Sequence, residues 1–338
     1  MIVPYTLWQR YGDLRVVDES FAAAARWVDY LKSTAGADLI RDQPTYGDWL
    51  NLNDNTAQDL ISTAFFGYSA RLVSRMAAAT GRQAEAASYG TLADQIAAAF
   101  TARFVAPDGT VTGNTQTGYV LPLAFDLLPA YLVQPAADRL AAKVAARNGH
   151  LSVGFLGVEK LLPVLADHGH LATAYQILLQ PDFPGWGYQI GRGATTIWER
   201  WDGIRPDGTF NDPGMNSFNH YGLGSVGDWL YRSVGGLGPD PRDPGYRRIL
   251  IAPRPGGGLT AATADLTTRY GPTRSDWSTS SGVLSLRVVV PANTTATIRV
   301  PAAADGAVAA PAEAVPIGRS ADTASFAIGS GTYTFTVS

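Results

Sequence analysis

Gly235-Gly-Leu-Gly-Pro-Asp-Pro-Arg-Asp-Pro-Gly245 separates two textures in this 338-residue chain. A helix cannot run through it, because proline lacks the backbone donor and glycine disfavours helical order. Upstream, apolar residues recur every three or four positions; downstream, they alternate. The chain therefore reads as a helical domain over residues 1–236 and a β domain over residues 237–338.

Upstream, Val17–Thr34 carries Phe21, Ala24, Ala25, Val28 and Leu31 on one face, an amphipathic helix. Thr56–Ala79 buries a stripe of Leu60, Ala64, Phe65, Tyr68, Leu72 and Met76, with Thr56 as N-cap, Asp59 as first-turn acid and Gly81 as stop. Glu85–Phe104 keeps Tyr89, Leu92, Ile96 and Phe100 in register. Further helices are predicted at Ile2–Tyr11, Thr117–Leu127, Pro135–Arg147, Val158–Asp167, Leu171–Leu179 and Asn216–Val234.

Long loops rich in Gly, Trp and Asp separate alternate helices: Gly36–Asn55, Pro107–Thr115 and Pro181–Met215. Loops beyond about 12–15 residues in a compact domain are usually functional. Such loops gathered at one end of a helical array make the pocket of an α/α barrel. A complete double ring needs more helices than these nine, so the barrel is expected to be incomplete within this chain. The fold class is mainly α: an incomplete (α/α)6 barrel followed by a small antiparallel β-sandwich.

For the sandwich, Arg248–Ala252, Thr263–Tyr270, Leu284–Val290 and Ala296–Val300 read as strands. The run Thr332–Val337 alternates strictly, with Tyr333, Phe335 and Val337 on one face. Trp277 and Tyr270 read as core aromatics and Pro301–Pro316 as a loop. The sandwich carries no evident chemistry.

Composition narrows the function. The net charge is −3 and no basic block occurs, so nothing points to nucleic acid or an anionic membrane as partner. No apolar run approaches the roughly 20 residues a bilayer span needs. The absence of cysteine removes disulfides and thiolate chemistry but leaves the compartment open, cytoplasmic or secreted. His150, His168, His170 and His220 have no metal-ligand spacing, and no Ca²⁺-loop spacing occurs, so no metal or other cofactor is expected.

The chemistry concentrates in Ala194-Thr-Thr-Ile-Trp-Glu-Arg-Trp-Asp202, which sets Glu199 between Trp198 and Trp201. Gln189, Arg192 and Arg200 are close in sequence, and aromatic residues recur from Phe183 to Tyr221. Rings stack on the apolar faces of sugars, and a carboxylate among them activates water or steadies an oxocarbenium-like charge. The plainer alternative is a structural glutamate paired with Arg200 or Arg192.

Six segments are similar to bacterial α-L-rhamnosidases of glycoside hydrolase family 78. They are Gly47-Asp-Trp-Leu50, Gly185-Trp-Gly-Tyr188, the run Ala194–Gly203, Gly214-Met-Asn-Ser-Phe-Asn-His-Tyr221, Gly227-Asp-Trp-Leu-Tyr231 and the run Tyr246–Pro255. The resemblance covers nearly the whole chain in order. It implies release of terminal α-L-rhamnose with inversion, from rhamnosylated small molecules or oligosaccharides. It also implies Glu199 as general base, His220 as a sugar-binding histidine and Trp49 as a ring against the rhamnose. Asp48 and Asp59 are weaker candidates for the sugar hydroxyls; helix capping is the alternative for Asp59. Trp198 and Trp201 are substrate-site residues of the wall or of its packing. Asp202 is open to pairing with Arg200 or His220.

One departure from the family pattern matters. Family members place a general acid in an Asp-Glu-Arg-Leu-Gly-Trp-like segment of the early barrel, and residues 1–338 contain none. Impaired hydrolysis is therefore expected of this chain by itself. An exposed barrel seam is also expected, to be covered by the missing N-terminal barrel segment or by self-association. Two other readings stay open: a non-catalytic carbohydrate-binding remnant of the fold, and an α/α-barrel enzyme acting on another sugar. A lyase fits poorly, since His220-Tyr221 offers a nominal pair but the pocket segments are not basic.

Overall fold

The computed structural model describes residues 1–338. By contacts it forms two compact units, Met1–Ile2 with Asp18–Val226, and Val3–Val17 with Gly227–Ser338. The helices are α1 (Ile2–Tyr11), α2 (Arg15–Ser33), α3 (Gln58–Ala79), α4 (Gln83–Phe104), α5 (Gln116–Ala124), α6 (Ala130–Ala145), α7 (Phe155–Asp167), α8 (Leu171–Leu178) and the short α9 (Trp186–Gly191).

In the first unit, α3 packs with α4, α5 with α6 and α7 with α8 as consecutive hairpins. Laterally, α3 meets α5 and α5 meets α7. Burial separates an inner from an outer layer. Eight of the nine residues of α5 are buried, and α3 is buried on nearly every side. By contrast, α4 buries only Leu92, Ala93, Ile96, Phe100 and Phe104. Helices apolar all round belong inside, and one-stripe helices outside. The hairpins thus form part of an α/α barrel, with α3, α5 and α7 as its inner helices.

Three helix assignments change. The α3 helix begins at Gln58 with Ala57 as N-cap, and Thr56 is not the cap. The Thr56 hydroxyl is buried and bonds the Thr115 hydroxyl at 2.6 Å. Helix α6 begins before Pro135, at Ala130. Proline at its sixth position forgoes only the bond to the Tyr131 carbonyl, in the exposed first turn.

Asn216–Val234 is not one helix. Its first part is irregular, with bends, and the rest is a 3-10 turn at Gly222–Ser225, an α turn at Val226–Trp229 and a π-type turn at Leu230–Val234. Glycines at 222, 224 and 227 weaken helical order there, and the backbone of Ser217 and His220 is committed to another segment.

The second unit is the sandwich with α1. Its strands are β1 (Leu237–Pro239), β2 (Arg248–Ile251), β3 (Ala261–Thr268), β4 (Gly271–Ser280), β5 (Val283–Val290), β6 (Thr295–Pro301), β7 (Val308–Ala309), β8 (Val315–Arg319), β9 (Thr323–Ile328) and β10 (Gly331–Val337). Two five-stranded sheets run β1-β2-β6-β9-β8 and β3-β4-β5-β10-β7. All pairings are antiparallel except β2 with β6. Trp277, Leu286, Val288, Ile298 and Phe335 form the centre of the core.

The Trp277 indole also donates to the Val234 carbonyl at 2.7 Å, joining the sandwich to the turn before it. Tyr270 is not in the core; it lies half-buried in the turn between β3 and β4, with Arg269 over its ring. Arg10 of α1 pairs with Asp228 within this unit.

Candidate functional site

The loop from Arg41 to Ala57 crosses the N-terminal ends of all three inner helices. At α3 it meets Gln58, whose side chain accepts the Thr45 amide at 2.9 Å. At α5 it presents Asp54, buried, which accepts the Gln116 amide at 2.8 Å and the Ser152 hydroxyl at 2.7 Å. The Thr115 hydroxyl caps α5 through the Gly118 amide at 3.0 Å.

At α7 the loop presents Asp48, only 3% exposed. Asp48 Oδ2 accepts from the Thr117 hydroxyl at 2.5 Å and the Gly154 amide at 2.6 Å, and Oδ1 accepts from the Leu156 amide at 2.8 Å. Burial pushes its carboxyl pKa up, and these hydrogen bonds work against that shift. A carboxylate facing a helix N-terminus is also favoured by the helix dipole. Both oxygens of Asp48 are thus engaged by protein donors, which makes it a clamp on the loop.

Asp48 fixes its neighbour. Trp49 stands 46% exposed, and its carbonyl accepts the Phe155 amide at 3.0 Å. Gly154 makes this approach possible, since a Cβ there would lie 2.2 Å from the Trp49 carbonyl oxygen. Asp59 lies in the first turn of α3, where its Oδ1 accepts the Leu60 amide at 2.8 Å.

The second half of the site is the segment Arg192–Ser225. Here two stretches pair side by side. The Glu199 amide donates to the Ser217 carbonyl, and the His220 amide to the Ile197 carbonyl, each at 2.8 Å. The Ser217 amide returns a bond to Glu199 Oε2 at 2.9 Å, and the Thr196 hydroxyl bonds the Phe218 carbonyl. Glu199 and His220 therefore sit on neighbouring, hydrogen-bonded stretches. The two arginines near Glu199 in sequence turn elsewhere: Arg200 to Asp202 at 3.0 Å, Arg192 to the Pro206 carbonyl at 2.7 Å.

Trp198 and Trp201 are almost fully buried. Trp198 packs edge-on against Phe218, and Trp201 against Trp186. They are packing behind the loop and present no free face. The Trp186 indole adds a bond to the Leu223 carbonyl at 3.0 Å.

The two halves meet at Phe155. Its ring stacks on the His220 imidazole with centroids 5.1 Å apart and planes 19° from parallel. His220 also stacks with Tyr221, which is largely exposed. His220 Nδ1 accepts the Gly222 amide at 3.1 Å, so the proton of the neutral ring is on Nε2. The imidazole thereby offers an N–H donor from a half-exposed position.

Of the residues expected from the sequence, Trp49 is exposed and Glu199 and His220 are half-exposed on these loops. Asp48, Trp198 and Trp201 are buried, and Asp59 lies at the start of α3. Sequence reasoning passed over Phe155, Gly154, Asp54 and Thr117. Their contacts bridge segments up to 108 residues apart, and no local pattern marked them.

Helical hairpins that carry a carboxylate among aromatic rings at their loop end, with a β-sandwich following in sequence, define a class of carbohydrate-active fold. Comparison with known families narrows it. The bacterial α-L-rhamnosidase six-hairpin glycosidase domain matches residues 1–234, and the bacterial α-L-rhamnosidase C-terminal domain matches residues 236–314. The chain belongs to the bacterial α-L-rhamnosidase family.

An α-L-rhamnosidase of Streptomyces avermitilis is 47% identical over 300 residues, 89% of this chain and 29% of that protein. One from Formosa agariphila is 38% identical, covering 89% of this chain and 33% of its own length. The crystal structure of the S. avermitilis α-L-rhamnosidase complexed with L-rhamnose matches 99% of this chain and 32% of its own, at TM-score 0.95 and 45% identity. This chain thus spans about a third of the length of these relatives.

Proposed function

We propose that residues 1–338 form the base side of an inverting α-L-rhamnosidase site. The carrying observation is the pairing of the Glu199 and His220 stretches, with the His220 imidazole stacked on Phe155, whose amide in turn holds the carbonyl of the exposed Trp49. In this reading Glu199 is the general base, taking a proton from the water that attacks the anomeric carbon opposite the leaving group. His220 Nε2–H donates to a sugar hydroxyl. Trp49 covers an apolar face of the rhamnose, whose C6 methyl makes it more apolar than most hexoses.

An inverting mechanism also needs a carboxylic acid to protonate the departing oxygen. No Asp-Glu-Arg-Leu-Gly-Trp-like segment occurs in residues 1–338. We therefore take this polypeptide by itself to bind terminal rhamnose and to depend on a leaving group that departs without a proton. The missing acid motif equally favours a second reading, in which the chain binds rhamnose without cleaving it.

Calorimetric titration with L-rhamnose tests the sugar site common to both. Saturable one-to-one binding, weakened at least several-fold by His220→Ala, is expected. A cooperatively melting chain that takes up no rhamnose would remove the proposal.

A further inference from the structure

Two groups on the proposed sugar face come from loops that share no direct hydrogen bond with each other among those described above. Trp49 rides on the loop clamped by Asp48, and His220 on the stretch paired with Ile197. Phe155 is the residue both of them touch. Its amide holds the Trp49 carbonyl at 3.0 Å, and its ring lies against the imidazole of His220. The backbone on either side is shaped for this role. Gly154 admits the Trp49 carbonyl, and Gly222 faces the Phe155 ring, which a Cβ there would meet at 2.8 Å.

We infer that Phe155 is a positioning residue of the sugar site, holding the His220 imidazole at a fixed place and orientation relative to Trp49. This inference rests on the sugar-site reading above. The Gly222 amide fixes the tautomer of His220 through Nδ1, but one hydrogen bond leaves the ring free to swing about it. A stacked ring on one face removes that freedom, and Phe155 is itself anchored at the first residue of α7. The Nε2–H donor then points in one direction before any sugar arrives, which lowers the ordering cost of binding. Tyr221, the other ring stacked with His220, is 87% exposed and has no buried anchor of its own.

The test uses the whole chain with Phe155→Leu, which keeps apolar bulk but loses the ring, and Phe155→Tyr, which keeps the ring. The backbone bond to Trp49 survives in both. Two readouts are taken: the Kd for L-rhamnose, and the ring ¹⁵N and ¹H signals of His220, assigned with His220→Gln. The expected result for Phe155→Leu is a Kd raised about 3- to 10-fold, the range of a typical aromatic pair. Its His220 ring signals move toward those of a freely rotating imidazole, while Nδ1 remains the acceptor of the Gly222 amide. Phe155→Tyr stays within about twofold in Kd and keeps the wild-type ring signals.

Unchanged His220 signals in Phe155→Leu would overturn the inference. So would equal losses in both variants, which is the pattern of a merely structural position. If the unsubstituted chain binds no rhamnose, the sugar reading fails. The His220 signals need no sugar and decide separately whether Phe155 holds the ring.

Discussion

Glu199→Gln is expected to slow cleavage of an aryl α-L-rhamnoside about 10²–10⁴-fold, the usual cost of losing general base assistance. On the barrier scale that is about 3–5 kcal/mol. Two structural facts make the variant informative. Glutamine keeps an oxygen that can accept the Ser217 amide, so the pairing of the 197–199 and 217–220 stretches survives. And Arg200 and Arg192 bond Asp202 and the Pro206 carbonyl, so neutralising Glu199 strands no buried cation. Thermal stability should therefore stay within about 0.5 kcal/mol of the wild type, as for an ordinary half-exposed substitution. Initial rates and a melting curve on the same preparations check both halves. Equal rates for the two proteins would take the base role away from Glu199.

Gly154→Ala is expected to cost the helical unit about 3–5 kcal/mol, the range of the more severe single substitutions. The added Cβ would sit 2.2 Å from the Trp49 carbonyl oxygen, 2.6 Å from the Asp48 carbonyl oxygen and 2.8 Å from the Asn51 amide. All three are backbone atoms, so no side-chain rotation relieves the overlap. The loop must lift from α7, and with it go the bonds from the Gly154 and Leu156 amides to Asp48. Asp48 would then be a buried carboxylate short of its donors, which is the expensive case. Chemical denaturation should show a lowered midpoint, and rhamnose binding should fall in the protein that remains folded. A midpoint within experimental scatter of the wild type would show that the loop yields cheaply and that the clamp is not rigid.

The parts legible from the sequence were those written locally. The 3–4 spacing in α2, α3 and α4 placed those helices to within a few residues, and α1 to the residue. Proline and glycine mark the stretch Gly235–Gly245, after which the elements are strands. Local signals misled where a distant partner decided the outcome. Asn216–Val234 has enough apolar residues to pass for a helix, but the Ser217 and His220 backbone is used by Ile197 and Glu199.

Strands β4 and β9 escaped notice for a different reason. In β4 the polar run Arg274-Ser-Asp276 hides the strand, and only its register against β3 and β5 makes it one. In β9, Thr323-Ala-Ser-Phe-Ala-Ile328 is built mostly of small residues whose pattern is weak. Within the site, family motifs singled out Glu199, His220 and Trp49. The clamp was invisible, because Asp48 meets its amide donors across 106 and 108 residues of sequence. A buried carboxylate and an exposed one look alike in a one-letter string.

The most direct measurement of the central claim compares turnover by residues 1–338 on two substrates. One is an aryl α-L-rhamnoside with a good leaving group, and the other a natural flavonoid rhamnoside. If the chain carries the base side of the site and lacks the acid, the aryl substrate is cleaved. The natural one then lags by about 10²–10⁴-fold, the contribution of a general acid. Comparable turnover of both would mean that another carboxylate within these residues protonates the leaving group, which contradicts the account.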